Sequence, residues 1–270
     1  MTGFFLSGRT GGVARYPQLS VLSRDRQTAL IVAALAGSIL NIATFAAFLL
    51  TSIAVALICF YTYPALVTIL AVPLYGERLD RVRVGALMLS SMGLVLVVLA
   101  PLAGASGLVV NPLGVGLALL AALCQATFIL ISGRGWQPMP NLHVTTFVIA
   151  MAFAVSLPLT FLAGQSGALL VPFQQPQAWI WILAGAITGA AIPTTAFITG
   201  IGLIGPSRAA ILMTIEPLVG VTIAALFLHE QPSVIQIIGG AAVLVGAAVL
   251  QIAPRGAGQV AVEPEMGPLV

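Results

Sequence analysis

The sequence predicts an all-α polytopic membrane bundle of about eight transmembrane helices. Three observations carry this: the composition, a series of apolar runs of spanning length, and an internal repeat in inverted register. Of 270 residues, 60% are hydrophobic and 6% charged, against roughly 25% charged in soluble domains. Ten basic and seven acidic residues cannot clothe a water-soluble globule of this size, so hydrocarbon must be its main solvent. The mean hydropathy of +1.12 agrees.

Apolar runs bounded by polar residues, Gly or Pro fall at 28–50, 53–75, 84–103 and 112–132, then at 143–163, 178–203, 206–228 and 233–252. Each is close to the ~20 residues that cross a ~30 Å hydrocarbon core. Residues 1–27 read as a cytoplasmic N-terminal segment. Residues 253–270, rich in Gly, Pro and acid, read as a disordered cytoplasmic tail.

Arginines flanking membrane segments are retained in the cytoplasm. With the N-terminus inside, Arg9, Arg15, Arg24, Arg26, Arg78, Arg81, Arg83, Arg134, Arg208 and Arg255 all fall on the inner side. The outer connections hold none. The expectation is a multi-pass protein of the bacterial inner membrane with both termini cytoplasmic. Arginines so scattered form no stripe that could track a phosphate backbone, which excludes a nucleic-acid partner.

Sliding the sequence along itself by 153 residues lays 28–97 over 181–250 without a gap. Pro64 falls on Pro217, Glu77 on Glu230 and Gly93 on Gly246, with Ile39/Ile192, Ala43/Ala196 and Ala56/Ala209 among the aliphatic matches. Matched segments run in opposite directions through the bilayer, so the repeat is inverted, an arrangement typical of secondary transporters. The units are a first repeat at 28–103 and a second at 112–252, of three and five helices. The deficit predicts a ten-helix protein shortened at its N-terminus by two helices, with Met1–Leu6 as the stub of the lost pair.

Two stretches carry a family resemblance. Phe60-Tyr61-Thr62-Tyr63-Pro64-Ala65-Leu66-Val67, followed by Tyr75-Gly76-Glu77-Arg78-Leu79, resembles the fourth helix and following loop of EamA-type members of the drug/metabolite transporter superfamily. Gly205-Pro206-Ser207-Arg208-Ala209-Ala210, Ile215-Glu216-Pro217-Leu218-Val219, His229-Glu230 and the run from Gly239 to Gly246 resemble the corresponding second copy. The likeness covers about 28–252, with a Pro-to-Glu spacing of 13 in both copies. It implies a permease or exporter for small metabolites such as amino acids or amphipathic compounds. The chain departs from the family pattern by lacking the first two helices.

Glu216 is the acid well inside a membrane segment, about ten residues into its run and hence ~15 Å deep. A carboxylate there marks a substrate or proton pathway. Pro217 and Pro64 free the carbonyls of Met213 and Phe60 and predict mid-helix kinks. Tyr63 is the repeat partner of Glu216, and a substrate amine between the two is the expected arrangement. Asn41, with Gly37 and Thr44, and Thr195, with Thr188 and Thr199, form polar stripes that either line a cavity or bond between helices. Tyr61, Thr214 and Gln125 are further candidates, while Gly185 and Gly189 predict close helix contact.

Glu77 and Glu230 suit helix starts. His143 and His229 lack metal spacing, and Cys59 and Cys124 read as small hydrophobes, so neither metal nor cofactor is expected. No His-Glu-x-x-His, paired membrane aspartates, Gly-x-Ser-x-Gly or Gly-rich nucleotide loop occurs, which argues against an enzyme. The expected partners are a small-molecule substrate, the bilayer and protons, in a monomer or homodimer. The sequence thus supports a secondary transporter with alternating access between the repeats. A passive channel, a non-transporting scaffold or an inactive truncated carrier is the alternative.

Overall fold

A computed structural model describes residues 22–76, 80–100, 110–227 and 233–252. Its elements are α1 (Arg24–Leu50), α2 (Ile53–Phe60), α3 (Tyr63–Tyr75), α4 (Arg81–Leu99), α5 (Pro112–Ser132), α6 (Asn141–Leu162), α7 (Val171–Gln174), α8 (Ala178–Gly185), α9 (Ile192–Ile204), α10 (Pro206–Leu212), α11 (Glu216–Phe227) and α12 (Val234–Ile252). No strand occurs among the described residues. Six helical segments are long and apolar enough to cross a membrane: Arg24–Leu50, Val55–Tyr75, Arg81–Leu99, Pro112–Ser132, Asn141–Leu162 and Ala178–Ile204. The other two expected segments are the rod formed by α10 and α11, which is interrupted, and α12, whose apolar stretch is Val234–Val249.

Local chemistry sets the helix ends. Asn111 accepts a hydrogen bond from the Leu113 amide at 2.9 Å, with Pro112 in the first turn of α5. Asp80 accepts from the Arg83 amide at 2.7 Å and starts α4. Ser233 and Gln236 bond each other's amides at 3.3 and 2.8 Å, a capping box that opens α12. Gly76 stops α3 in the left-handed conformation, φ +63°, where a Cβ would be strained.

Antiparallel pairs build the bundle. Along α1 and α5, Arg26 meets Gln137 near one end, Gly37 faces Phe128 midway, and Thr51 and Leu50 lie beside Gly114 at the other. Helix α4 packs along α12. There a Cβ on Gly93 would stand 2.5 Å from the Gly239 carbonyl oxygen and 2.9 Å from the Val243 amide. A Cβ on Gly246 would meet Ser90 and the Ala86 carbonyl, the latter at 2.9 Å. Shifting Ala86 and Ser90 by 153 residues gives Gly239 and Val243, so the contact is reciprocal, as across a twofold axis. Its antiparallel sense is the inversion that the repeat predicted.

One buried cluster joins α3, α4, α5, α9, α10 and α12 through Tyr63, Leu94, Ile129, Ile201, Ala210 and Val243. A second joins α1, α5, α6 and α9 through Leu30, Phe128, Val144 and Ile198. The outer surface is apolar: Leu49, Leu162 and Trp181 are 87, 83 and 77% exposed, a surface made for lipid. The connection before α8 contains a 3-10 turn, Ser166–Leu170, and the four-residue α7, neither of which the apolar pattern predicts.

Glu77, Arg78, His229, Glu230, Arg255, residues 1–21 and the tail from 253 lie outside the described residues. Gly185 and Gly189 have nothing within 4 Å of an added Cβ. Their expected close contact is therefore corrected: the pair flanks and enters a π-helical stretch, Ala186–Ala191, on the open side of the rod.

Candidate functional site

Two of the eight expected segments break in the middle, and they are repeat partners. The first winds as α2, leaves the helix at Tyr61 and Thr62, and resumes as α3. The second winds as α10, tightens to a 3-10 turn over Met213–Ile215 and resumes as α11. Tyr61 and Thr62 shifted by 153 residues are Thr214 and Ile215, so both breaks occupy the same place in the two units.

Proline explains the place. Pro64 and Pro217 each sit in the first turn after the break, where the missing amide is tolerated. At each break a threonine hydroxyl bonds a carbonyl of the preceding helical turn. Thr62 donates to the Cys59 carbonyl at 2.7 Å, and Thr214 donates to the Ile211 carbonyl at 2.6 Å.

The second break delivers Glu216 as the first residue of α11, where its charge suits the helix dipole. The carboxylate is exposed and lies within electrostatic reach of the Tyr61 hydroxyl from the first break. The two interruptions therefore face each other through one polar pair. Tyr63, the residue that the repeat pairs with Glu216, is instead 1% exposed in the core. The reason is geometric: α3 begins at Tyr63, and two non-helical residues turn Tyr61 rather than Tyr63 toward Glu216.

Aromatic rings back this pair. Phe60 lies 5.2 Å from Tyr61 at an interplanar angle of 65°, and 5.2 Å from Tyr63 at 47°. Tyr61 and Tyr63 are 6.0 Å apart at 34°. Phe60 belongs to the site although no polar signal marks it in the sequence; its adjacency to Tyr61 at a proline break is the signal that could have found it.

The remaining candidates lie elsewhere. The Asn41 amide donates to the Gly37 carbonyl of its own helix at 2.9 Å, and Thr44 does the same to Leu40 at 2.8 Å. Thr188 likewise bonds Ala184 at 2.7 Å. Thr195 donates to Thr145 at 2.9 Å and Thr199 accepts from Asn141 at 2.9 Å. These two polar pairs tie α9 to α6, and Thr195 and Thr199 also line a groove of about 620 Å³ with Ile192, Ala196 and Gly200. Thr214 is buried in the break itself, and Gln125 is buried in α5. Cys59 and Cys124 are free thiols. No group of three or more potential metal ligands occurs among the described residues.

Comparison with known proteins agrees with this architecture. An uncharacterized transporter of Archaeoglobus fulgidus is 27% identical over 196 residues, covering 73% of this chain and 66% of that protein. The uncharacterized transporter sll1319 of Synechocystis sp. is 29% identical over 197 residues, covering 71% and 56%. The chain thus spans about two thirds of the first relative's length and just over half of the second's. A solved crystal structure aligns over 88% of both chains with a TM-score of 0.62 and 19% identity, which shows a shared fold. The EamA-like transporter family matches residues 112–252, from the start of α5 to the end of α12. The chain, a multi-pass membrane protein, belongs to the EamA-like transporter family.

Proposed function

We propose that the chain is a secondary transporter of small metabolites, with Glu216 and Tyr61 as the substrate- and proton-exchanging pair. The observation that supports this is their approach to one another across two helix interruptions at equivalent places in the two units. Interrupted helices at membrane depth are tolerated where they line a cavity or are buried in protein, and they carry substrate sites in inverted-repeat carriers. An acid there, faced by a neutral hydroxyl, can exchange a proton or a substrate without breaking an ion pair. Alternating access would then be a rocking of α2–α4 against α10–α12 about the α4–α12 contact.

The test is counterflow in proteoliposomes, with a panel of amino acids and amphipathic amines inside and labelled substrate outside. Saturable counterflow, accelerated by a pH gradient and abolished by Glu216→Gln, is the expected outcome. Non-saturating, ohmic flux would assign a channel instead, and pH-driven rates unchanged in Glu216→Gln would remove the acid from the mechanism.

A further inference from the structure

Polar side chains buried without a partner are few in a folded chain, and each asks for an explanation. Gln125 is 8% exposed near the middle of α5, and no protein group among the described residues bonds its amide. Ser90, Ser132, Trp136 and Ser207 share that condition, but their polar atoms are sealed by packing. Both amide atoms of Gln125 border open space. An unbonded amide in a protein interior costs stability until something that bonds it enters.

The amide heads into the bundle. Leu119 and Leu123 on the outward face of α5 are 46 and 51% exposed, and Gln125 lies about 200° round the helix from Leu123. Two neighbouring helices bring further unbonded hydroxyls to its depth. Phe128 of α5 stacks on Phe197 of α9 at 6.2 Å, and farther along both helices Gly133 lies beside Pro206, so α5 and α9 run parallel. Three residues before the stack stand Gln125 on one helix and Thr194 on the other. Thr188 and Thr199 donate to the carbonyl four residues back and Thr195 bonds Thr145, whereas Thr194, half-buried, bonds no described group. On the other side, Ala118 of α5 and Ala56 of α2 share a buried cluster, and seven residues beyond them stand Gln125 and Tyr63. The Tyr63 hydroxyl has no described hydrogen-bond partner either, and it lies within electrostatic reach of Glu216.

An amide and two hydroxyls offer donors and acceptors without charge. We propose that Gln125, flanked by Thr194 and Tyr63, is a specificity subsite inside the bundle that takes an uncharged hydrogen-bonding group of the substrate, a carboxamide or a hydroxyl. A site built in this way rejects the analogue that lacks the group, because its own polar atoms then stay unpaired. The subsite rests on the transport reading for its use, but its binding can be measured without transport.

The experiment titrates the purified full chain and its Gln125→Leu variant with two isosteric pairs, asparagine against leucine and threonine against valine, in a thermal-shift assay. Members of a pair share backbone charges and shape, so their difference reports the side-chain group alone. The parent should bind the polar member about tenfold more tightly, and Gln125→Leu should bring that ratio to about one. Without ligand, Gln125→Leu should melt about 2–6 °C higher, since it removes a buried amide that no described group bonds. A melting point no higher than the parent's, or a variant that does not fold, overturns the proposal by making the amide structural. So does a parent that binds neither polar member or prefers the apolar one. A ratio that Gln125→Leu leaves unchanged also overturns it and assigns the space to water. Saturable, Glu216-dependent counterflow with that unchanged ratio removes the subsite and keeps the transport reading. A Gln125-dependent ratio without any saturable counterflow does the reverse.

Discussion

Gly93 and Gly246 make one contact in two opposite senses. Gly93 presses on the backbone of Gly239 and Val243, and Gly246 presses on Ala86 and Ser90, the residues 153 positions before those two. The closeness of α4 and α12 depends on the missing side chains. Gly93→Ala and Gly239→Ala should each destabilise the protein by about 1–3 kcal/mol, because a Cβ meets unyielding backbone. Gly116→Ala, where nothing lies within 4 Å, should be neutral or slightly stabilising. Thermal unfolding of the three variants in one detergent checks the contrast, and equal melting points would refute it.

The breaks at Tyr61–Thr62 and Met213–Ile215 make a second prediction. Pro64→Ala and Pro217→Ala restore an amide and remove a ring that disfavours continuous helix by about 3 kcal/mol. Each variant should be at least as thermostable as the parent, yet lose most of its counterflow. Parental rates in both variants would show that the interruptions shape packing alone.

The two tyrosines give a third. Tyr61→Phe deletes the hydroxyl that faces Glu216, and losing one polar partner of a charged or reactive group costs about 1.5–3 kcal/mol, so substrate affinity should fall about tenfold or more. Tyr63→Phe leaves that hydroxyl in place and should change affinity less. Competition binding on the two variants decides, and the reverse ranking would return the role to Tyr63.

Orientation gives a fourth. Arg134 and Gln165 are exposed at opposite ends of α6. With Cys59 and Cys124 replaced by Ala, Gln165→Cys in intact cells should react with a membrane-impermeant maleimide, and Arg134→Cys should not. Labelling at 134 alone would turn the bundle over.

The bundle was legible because apolar run length and Gly, Pro and Asn punctuation act locally. Residues 112–132 form α5 with the boundaries that the sequence predicts, and the other segments end within a few residues. The two prolines marked where helices fail but not how. A continuous 53–75 helix fixes the heading of every residue, whereas Tyr61 and Thr62 outside the helix reset it, so the residue facing Glu216 is Tyr61 rather than its repeat partner Tyr63. The π stretch at Ala186–Ala191 was illegible for a related reason: one extra residue per turn leaves hydrophobicity unchanged. The partner of the Asn41 amide was not legible because an amide in an apolar helix suggests a remote partner, whereas the Gly37 carbonyl four residues earlier accepts from it.

The antiparallel seam between α4 and α12 has a consequence for inheritance. On the eight-segment reading of the sequence, five segments separate the end of α4 from the end of α12: those of α5, α6, the α8–α9 rod, the α10–α11 rod and α12 itself. That number is odd, and a tandem copy of an odd unit enters the bilayer upside down, exchanging the leaflet met by each loop. Its surface charge must then be rewritten while its packing is kept. The residues 153 positions after Arg78, Arg81 and Arg83 are Gln231, Val234 and Gln236, and the one 153 before Arg208 is Val55. Pro64, Gly93 and Glu77, by contrast, keep Pro217, Gly246 and Glu230 as counterparts. With the arginines on the cytoplasmic side, as the sequence predicts, parity would account for both halves of that pattern: the membrane's charge asymmetry would replace the arginines, and the seam and the breaks, blind to which leaflet is which, would retain their residues.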